Sequence, residues 1–92
     1  DLEGLIVLIP EDGVLLVENV AVRPRSHGRG IGRALMDFAE AEAGRLDLPA
    51  VRLYTHVRMT RNLALYESIG YRETGRQEVP CGSLVHMSKQ LR

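Results

Sequence analysis

The sequence predicts an α/β domain organised around a parallel β-α-β unit. Two apolar, strand-like runs at Val14–Val22 and Ala50–His56 flank a helical run from Ile31 to about Leu46. A strand, a helix and a strand within this length form a right-handed crossover, so the two strands should be parallel. Between the first of these strands and the helix stands a turn that is rich in arginine and glycine, and it is the most distinctive stretch of the chain.

The remaining elements are predicted to be three further strands and a second helix. Gly4–Pro10 is a continuous apolar run typical of a strand, and the Asp-Gly step that follows it favours a hairpin turn. Thr60 is the expected N-cap of the second helix, and Gly70 is expected to end it. The last two strands are expected at Tyr71–Glu78 and Ser83–Leu91. The buried face of the first helix is predicted to consist of Ile31, Ala34, Leu35, Phe38 and Ala41.

The turn after the second strand has the features of a phosphate site. Gly28, Gly30 and Gly32 leave little side chain over the turn, so backbone N–H groups can approach a ligand closely. The helix N-terminus that follows carries unpaired N–H groups and partial positive charge. Four arginines surround the turn with no acidic residue between them, namely Arg23, Arg25, Arg29 and Arg33. These features together predict a site for a phosphate-bearing ligand.

Two common phosphate motifs do not fit this turn. The dinucleotide fingerprint requires a glycine where Arg33 stands, and no Gly-Lys-Ser/Thr follows for a P-loop. The order Arg25-x-x-Gly28-x-Gly30 after a Val-x-Pro strand end instead resembles the coenzyme A pyrophosphate loop of the GCN5-related N-acetyltransferases (GNAT). A second block, Asn62–Tyr71, resembles the later helix-and-turn signature of that family, with its tyrosine, glycine and aromatic. The two blocks stand in the family's order and separation, and the resemblance covers nearly the whole chain.

The resemblance implies the acyl-CoA N-acyltransferase fold, a mixed and mostly antiparallel sheet with the parallel β-α-β unit at its centre. The family's first strand and early helices have no counterpart here, so residues 1–92 are expected to be a single, N-terminally partial GNAT domain. Acetyl-CoA is implied as the cosubstrate, lying where the two parallel strands part. The residues that the resemblance assigns to it are Val20, Ala21, Val22, Arg25, His27, Gly28, Arg29, Gly30, Ile31, Gly32, Arg33 and Asn62.

The implied reaction is attack of a neutral amine on the thioester carbonyl. The spacing of Tyr66 alone favours a core aromatic, but it matches the family tyrosine that commonly protonates the departing thiolate, and the resemblance therefore implies this role. Glu18 interrupts the second strand and is the expected base, directly or through water, unless it simply faces solvent. His56, at the end of the third strand, is the other candidate base. The family often has an asparagine seven residues before the tyrosine, where this chain has Met59, so that contact is assigned to Asn62 instead.

Composition narrows the function classes. The chain has 92 residues with 12 basic and 12 acidic side chains, and zero net charge argues against a general nucleic-acid-binding protein. The single cysteine, Cys81, excludes an internal disulfide, is not expected to be a nucleophile and favours the cytoplasm. No apolar run reaches the roughly 20 residues of a membrane span. The scattered histidines offer no metal-ligand spacing, so no metal is expected.

Three functions follow from these observations. The leading prediction is an N-acetyltransferase that transfers the acetyl group of acetyl-CoA to a primary amine of a small molecule or protein. The alternative is a catalytically silent acyl-CoA-binding module within a larger assembly, and an arginine-lined nucleic-acid contact is the third. Because Gly4–Pro10 should leave an open apolar edge, we also expect a homodimer or further N-terminal residues.

Overall fold

The structure, a computed structural model, describes residues 4–22 and 30–91 apart from the side chain of Asn19. Within these residues the chain forms five strands and two helices. In order they are β1 (Gly4–Glu11), β2 (Val14–Val22), α1 (Ile31–Arg45), β3 (Ala50–His56), α2 (Thr60–Ser68), β4 (Arg72–Val79) and β5 (Gly82–Gln90). None of the helices in this part of the chain is both long and apolar enough to cross a membrane.

The strands form one mixed sheet in the order β1-β2-β3-β5-β4. Strands β2 and β3 pair in parallel, whereas the other three neighbouring pairs are antiparallel. The parallel β-α-β unit that the sequence predicted is therefore confirmed. It places the carboxyl ends of β2 and β3 at the same edge of the sheet, beside the N-termini of both following helices.

Turn residues account for most of the element boundaries. Gly13, in the hairpin between β1 and β2, has a φ of 75°, a conformation that glycine adopts without strain. Gly70 follows α2 with a φ of 101°, so its predicted role in ending that helix is confirmed. The prediction for the start of α2 was wrong by one residue, because Met59 is the N-cap and Thr60 is the first helical residue. No side chain caps this helix.

The core lies between the sheet and the two helices. Its fully buried large side chains come mainly from the three central strands and α1, and they are Leu15, Val17, Met36, Val51, Leu53 and Val85. The prediction for the buried face of α1 was wrong. Met36, Ala39 and Ala43 face the core, and Phe38 is 57% exposed. The small alanine side chains let the helix backbone approach the sheet closely, so the bulky aromatic stays outside.

The two edges of the sheet differ in chemistry. β1 is the outermost strand of the described sheet, as the predicted apolar edge requires. Leu5, Val7 and Ile9, on its face away from the core, are 47%, 37% and 37% exposed. At the other edge β4 is polar and almost wholly exposed, and Arg76 forms an ion pair with Glu73 at 2.8 Å. Charged side chains on an edge strand discourage pairing with another chain, and β1 has no such protection before Glu11.

Candidate active site

The central feature of the site is a gap between two parallel strands. The β2–β3 ladder contains only the pairs Leu15–Val51, Leu16–Arg52 and Val17–Leu53. Both strands continue beyond this point, β2 to Val22 and β3 to His56. The two strands therefore part at the edge of the sheet that carries their carboxyl ends, and a cleft opens between them.

A bulge at Glu18 marks the place where the strands separate. On the β1 side, Val7 pairs with Asn19 and Leu8 pairs with Val17, so Glu18 is the extra residue of a β-bulge. A bulge bends the strand and increases its twist, which turns the rest of β2 away from β3. Glu18 thus lies at the vertex of the gap.

A cleft of ≈ 730 Å³ extends from this gap to the N-terminus of α1. Eight of the twelve predicted coenzyme residues line it, namely Val20, Ala21, Val22, Gly30, Ile31, Gly32, Arg33 and Asn62. The predicted catalytic residue Tyr66 lines it as well. The other four predicted coenzyme residues, Arg25, His27, Gly28 and Arg29, lie outside the described residues.

A smaller cavity of ≈ 150 Å³ lies at the vertex of the gap. It is lined by both predicted catalytic residues, Glu18 and Tyr66, together with Tyr54 and Thr55 of β3. Val20, Met59, Asn62 and Tyr66 line both cavities. The shared walls make the smaller cavity the inner end of the cleft.

The N-terminus of α1 forms the other end of the cleft. Gly30 is the N-cap, with φ 78° and ψ 12°, and no side chain caps the helix. The first turn contains no acidic residue. Gly32 brings α1 close to α2, because a Cβ at this position would lie 3.1 Å from Leu65 Cδ2. The first N–H groups of α1 therefore border the cleft without a side-chain acceptor of their own.

Two arginines give the outer part of the cleft a positive charge. Arg33 from α1 and Arg61 from α2 both line it, and its described lining includes no acidic residue. Neither guanidinium forms an ion pair with any of the described residues. Together with the helix dipole, they make this end of the cleft suited to an anion.

Tyr66 is a buried residue whose hydroxyl has no hydrogen-bond partner among the described residues. Its side chain is only 4% exposed, and burial raises the pKa of its hydroxyl. A buried hydroxyl without a partner is energetically costly, and such groups are commonly satisfied by water or ligand. The hydroxyl stays protonated at neutral pH and can donate a hydrogen bond or a proton.

His56 is held by hydrogen bonds at both ring nitrogens. The backbone N–H of Arg58 donates to Nδ1 at 3.1 Å, so Nδ1 is the unprotonated nitrogen. Nε2 then carries the hydrogen and donates to the carbonyl oxygen of Cys81 at 3.0 Å. Because its one basic nitrogen already accepts a hydrogen bond, His56 is poorly placed to take a proton from a substrate.

Sequence reasoning missed several residues of the site. Tyr54, Thr55 and Arg61 line the two cavities but belong to no motif that the sequence displays, and Leu65 lies within the Asn62–Tyr71 block without an assigned role. Arg61 carried the clearest signal, because it is a cation next to Asn62. Tyr54 and Thr55 could be assigned to the site only once the end of the β2–β3 ladder at Leu53 was known. In an intact parallel ladder the same residues would pair with β2 and would not line a cavity.

Comparisons with known proteins agree with this geometry. The chain is 35% identical over 72 residues to an IAA acetyltransferase from Azospirillum brasilense, covering 78% of this chain and 47% of that protein. The crystal structure of a nourseothricin acetyltransferase superposes with a TM-score of 0.92 at 24% identity, covering 100% of this chain and 59% of the other. A GNAT acetyltransferase from Elizabethkingia anophelis with acetyl-CoA bound superposes at 0.86 with 21% identity, covering 99% and 70%.

The structural likenesses establish the fold, and a match to a family model establishes the family. This chain spans about half the length of the curated relative that it matches. The family model described as acetyltransferase (GNAT) domain matches residues 2–73, which is most of the chain. The chain belongs to the GNAT acetyltransferase family.

Proposed function

We propose that this chain provides the coenzyme-binding and catalytic part of an N-acetyltransferase, which transfers the acetyl group of acetyl-CoA to a primary amine. The observation that carries the proposal is the gap between β2 and β3, which leads from the N-terminus of α1 to the buried Tyr66. One continuous cleft thereby joins an anion site to a group able to protonate a leaving thiolate.

The cleft fits the parts of acetyl-CoA in order. Beyond Val17 the described part of β3 supplies no ladder partner to β2, so the backbone around Val20 and Ala21 can pair with the amides of a pantetheine arm. The diphosphate would be held by the first N–H groups of α1 and by Arg33 and Arg61. A GNAT neighbour of the same fold was crystallised with acetyl-CoA, which supports this assignment.

The inner cavity has groups for both proton transfers. Tyr66, whose pKa is raised by burial, keeps its proton and can donate it to the departing thiolate. Glu18 lines the same cavity and can accept a proton from the attacking amine, directly or through water. His56 is the weaker candidate, because both of its ring nitrogens are engaged. Tyr66 and Glu18 are therefore the proposed acid and base.

The acceptor is proposed only as a class. Two of the three acetyltransferases compared above are named for different compounds, IAA and nourseothricin, so their names do not converge on one acceptor. A carboxylate at the inner cavity favours a basic amine, which binds as a cation and reacts after losing its proton.

The open β1 edge supports a homodimer, and the exposed thiol of Cys81 suits a reducing cytoplasm.

Calorimetric titration with acetyl-CoA, followed by turnover against a panel of amines, tests the proposal. We expect saturable binding of acetyl-CoA and much weaker binding of free nucleotides, together with release of free CoA in the presence of at least one amine. Binding without turnover by any amine would favour the silent acyl-CoA-binding module instead. Absence of acetyl-CoA binding, with oligonucleotide binding that falls steeply with salt concentration, would favour the arginine-lined nucleic-acid contact.

A further inference from the structure

The end of α2 joins Tyr66 to a second buried tyrosine. The backbone N–H of Tyr71 donates to the carbonyl oxygen of Tyr66 at 2.9 Å, and the N–H of Gly70 donates to that of Glu67 at 3.1 Å. With Gly70 at a φ of 101°, these bonds form a Schellman motif. Such motifs usually include a hydrophobic contact between the same two positions. Here it is a contact of the Tyr66 and Tyr71 rings, whose centroids are 6.1 Å apart.

Tyr71 is in turn fixed to two distant elements. Its hydroxyl donates to Glu40 Oε2 of α1 at 3.1 Å. The other carboxylate oxygen of Glu40 accepts a hydrogen bond from Lys89 Nζ of β5 at 3.0 Å, and Lys89 Nζ also lies 5.8 Å from the centre of the Tyr71 ring. Four side chains therefore link the end of α2 to α1 and β5.

We infer that Tyr71 and Glu40 are positioning residues for Tyr66, holding its ring at the inner end of the cleft; this rests on the proposed function. Packing alone does not explain the polar atoms, because a phenylalanine would fill the same space as Tyr71. A half-buried ion pair loses hydration, so its net contribution to stability is small, and the best-attested use of such pairs is to fix geometry.

The same contacts explain why Tyr66 needs a support. Its hydroxyl makes no hydrogen bond with the described residues, so within this part of the chain its position toward or away from the cavity depends on contacts of the ring. Among the described residues, Tyr71 is the aromatic residue whose ring contacts that of Tyr66. Without the hydroxyl bond to Glu40, Tyr71 keeps its packing volume and loses its fixed orientation. A misplaced acid lowers the rate of the chemical step more than it lowers coenzyme binding.

The test is a double-mutant cycle with Tyr66→Phe and Tyr71→Phe. For each variant, kcat and KM for acetyl-CoA are measured with the amine that gives the fastest turnover, and thermal stability is measured separately. We expect Tyr71→Phe to lower kcat about tenfold, with KM unchanged, and to have no further effect on kcat in the Tyr66→Phe background. Glu40→Gln keeps an acceptor oxygen for Tyr71 and loses the charge, so its loss of kcat should be smaller. Ala43→Gly, one turn along the same helix, is the control for a purely structural loss and should leave kcat unchanged.

The outcomes separate this inference from the proposal on which it rests. A loss of kcat on Tyr71→Phe that is equally large with and without the Tyr66 hydroxyl would overturn the positioning role. So would an unchanged kcat in Tyr71→Phe when Tyr66→Phe is impaired, and the proposed acid would then stand. Full turnover in Tyr66→Phe would refute the proposed acid itself, and the positioning role with it.

Discussion

Strands β2 and β3 have two halves with opposite properties. In the first half, Leu15–Val17 and Val51–Leu53 form a parallel ladder whose apolar side chains lie in the core. In the second half, the same strands have parted around a bulge, and they line a cleft. One pair of strands thus contributes to the core at one end and lines the proposed coenzyme cleft at the other.

In the proposed function, this difference lets a short chain accommodate a long ligand. Backbone groups that a neighbouring strand would satisfy are then available to the coenzyme, so the proposed site needs few additional side chains. The bulge at Glu18 confines this exposure to the edge of the sheet and leaves the core side chains below it buried. Substitutions in the two halves should therefore affect different measurements.

The largest expected effect is a loss of stability in the paired half. Leu15 is 0% exposed, and Leu15→Ala should lower the free energy of unfolding by about 2–5 kcal/mol. Its matched partner, Val20→Ala in the parted half, should cost much less stability and should weaken acetyl-CoA binding instead. Urea denaturation and calorimetry on both variants check this. Equal losses of stability in the two variants would mean that the parted half also belongs to the core.

The next effect concerns the glycine that begins α1. A Cβ at Gly30 would meet no atom within 4 Å, but the φ of 78° strains any ordinary side chain. Gly30→Ala should therefore cost about 1–2 kcal/mol and weaken coenzyme binding. Asparagine tolerates this conformation better, so Gly30→Asn is the matched control and should lose less of both. An alanine variant as stable as the asparagine variant would contradict the conformational explanation.

The charge of the cleft should have a smaller effect. Arg33→Gln removes a cation that forms no ion pair with the described residues, and it should weaken acetyl-CoA binding about fivefold at low salt, and less at high salt. Arg45 lies at the far end of the same helix, paired with Glu42 at 2.6 Å, so Arg45→Gln should leave the affinity unchanged. Calorimetry at two salt concentrations measures both variants. Equal losses would indicate an effect of net charge and not of the site.

The smallest effect is on the pH dependence of stability. Burial raises the pKa of both Tyr66 and Tyr71, and Glu40 raises that of Tyr71 further. Both hydroxyls ionise more readily in the unfolded chain, so their contribution is complete below pH about 10 and is lost as pH rises above it. Unfolding midpoints in urea should be unaffected by these groups below pH about 10 and should fall above it, less steeply in Tyr71→Phe. Parallel curves for the two proteins would contradict the shift.

Much of the fold could be predicted because turn residues and β-branched runs act locally. The Asp12–Gly13 hairpin, the β3 strand and the glycine after α2 follow from a few neighbouring residues each. The buried face of α1 could not be predicted in the same way. Apolar residues occur on more than one side of this helix, and hydrophobicity alone favours Phe38 over Ala39 and Ala43. The distance between α1 and the sheet determines which of these faces is buried, and that distance is set by the tertiary structure.

The candidate site likewise contains residues that local sequence motifs identify and residues that only the packing of elements brings together. The glycines of α1 and Tyr66 belong to sequence-local motifs and could be named in advance. Glu18 could be noted as a charged interruption of a strand, but its place at the vertex depends on the β1–β2 register. Glu40 and Lys89 are separated by 49 residues, and no local pattern connects them to Tyr71. Contacts of this kind arise from the packing of elements and have no signature in one sequence.

A crystal structure of this chain with acetyl-CoA would show whether the gap between β2 and β3 holds the coenzyme. We expect the pantetheine amides to pair with the β2 backbone around Val20 and Ala21, the diphosphate to contact the first N–H groups of α1, and the thioester to lie within reach of the Tyr66 hydroxyl. A coenzyme bound elsewhere on the protein, with β2 and β3 closed into a continuous ladder, would contradict it.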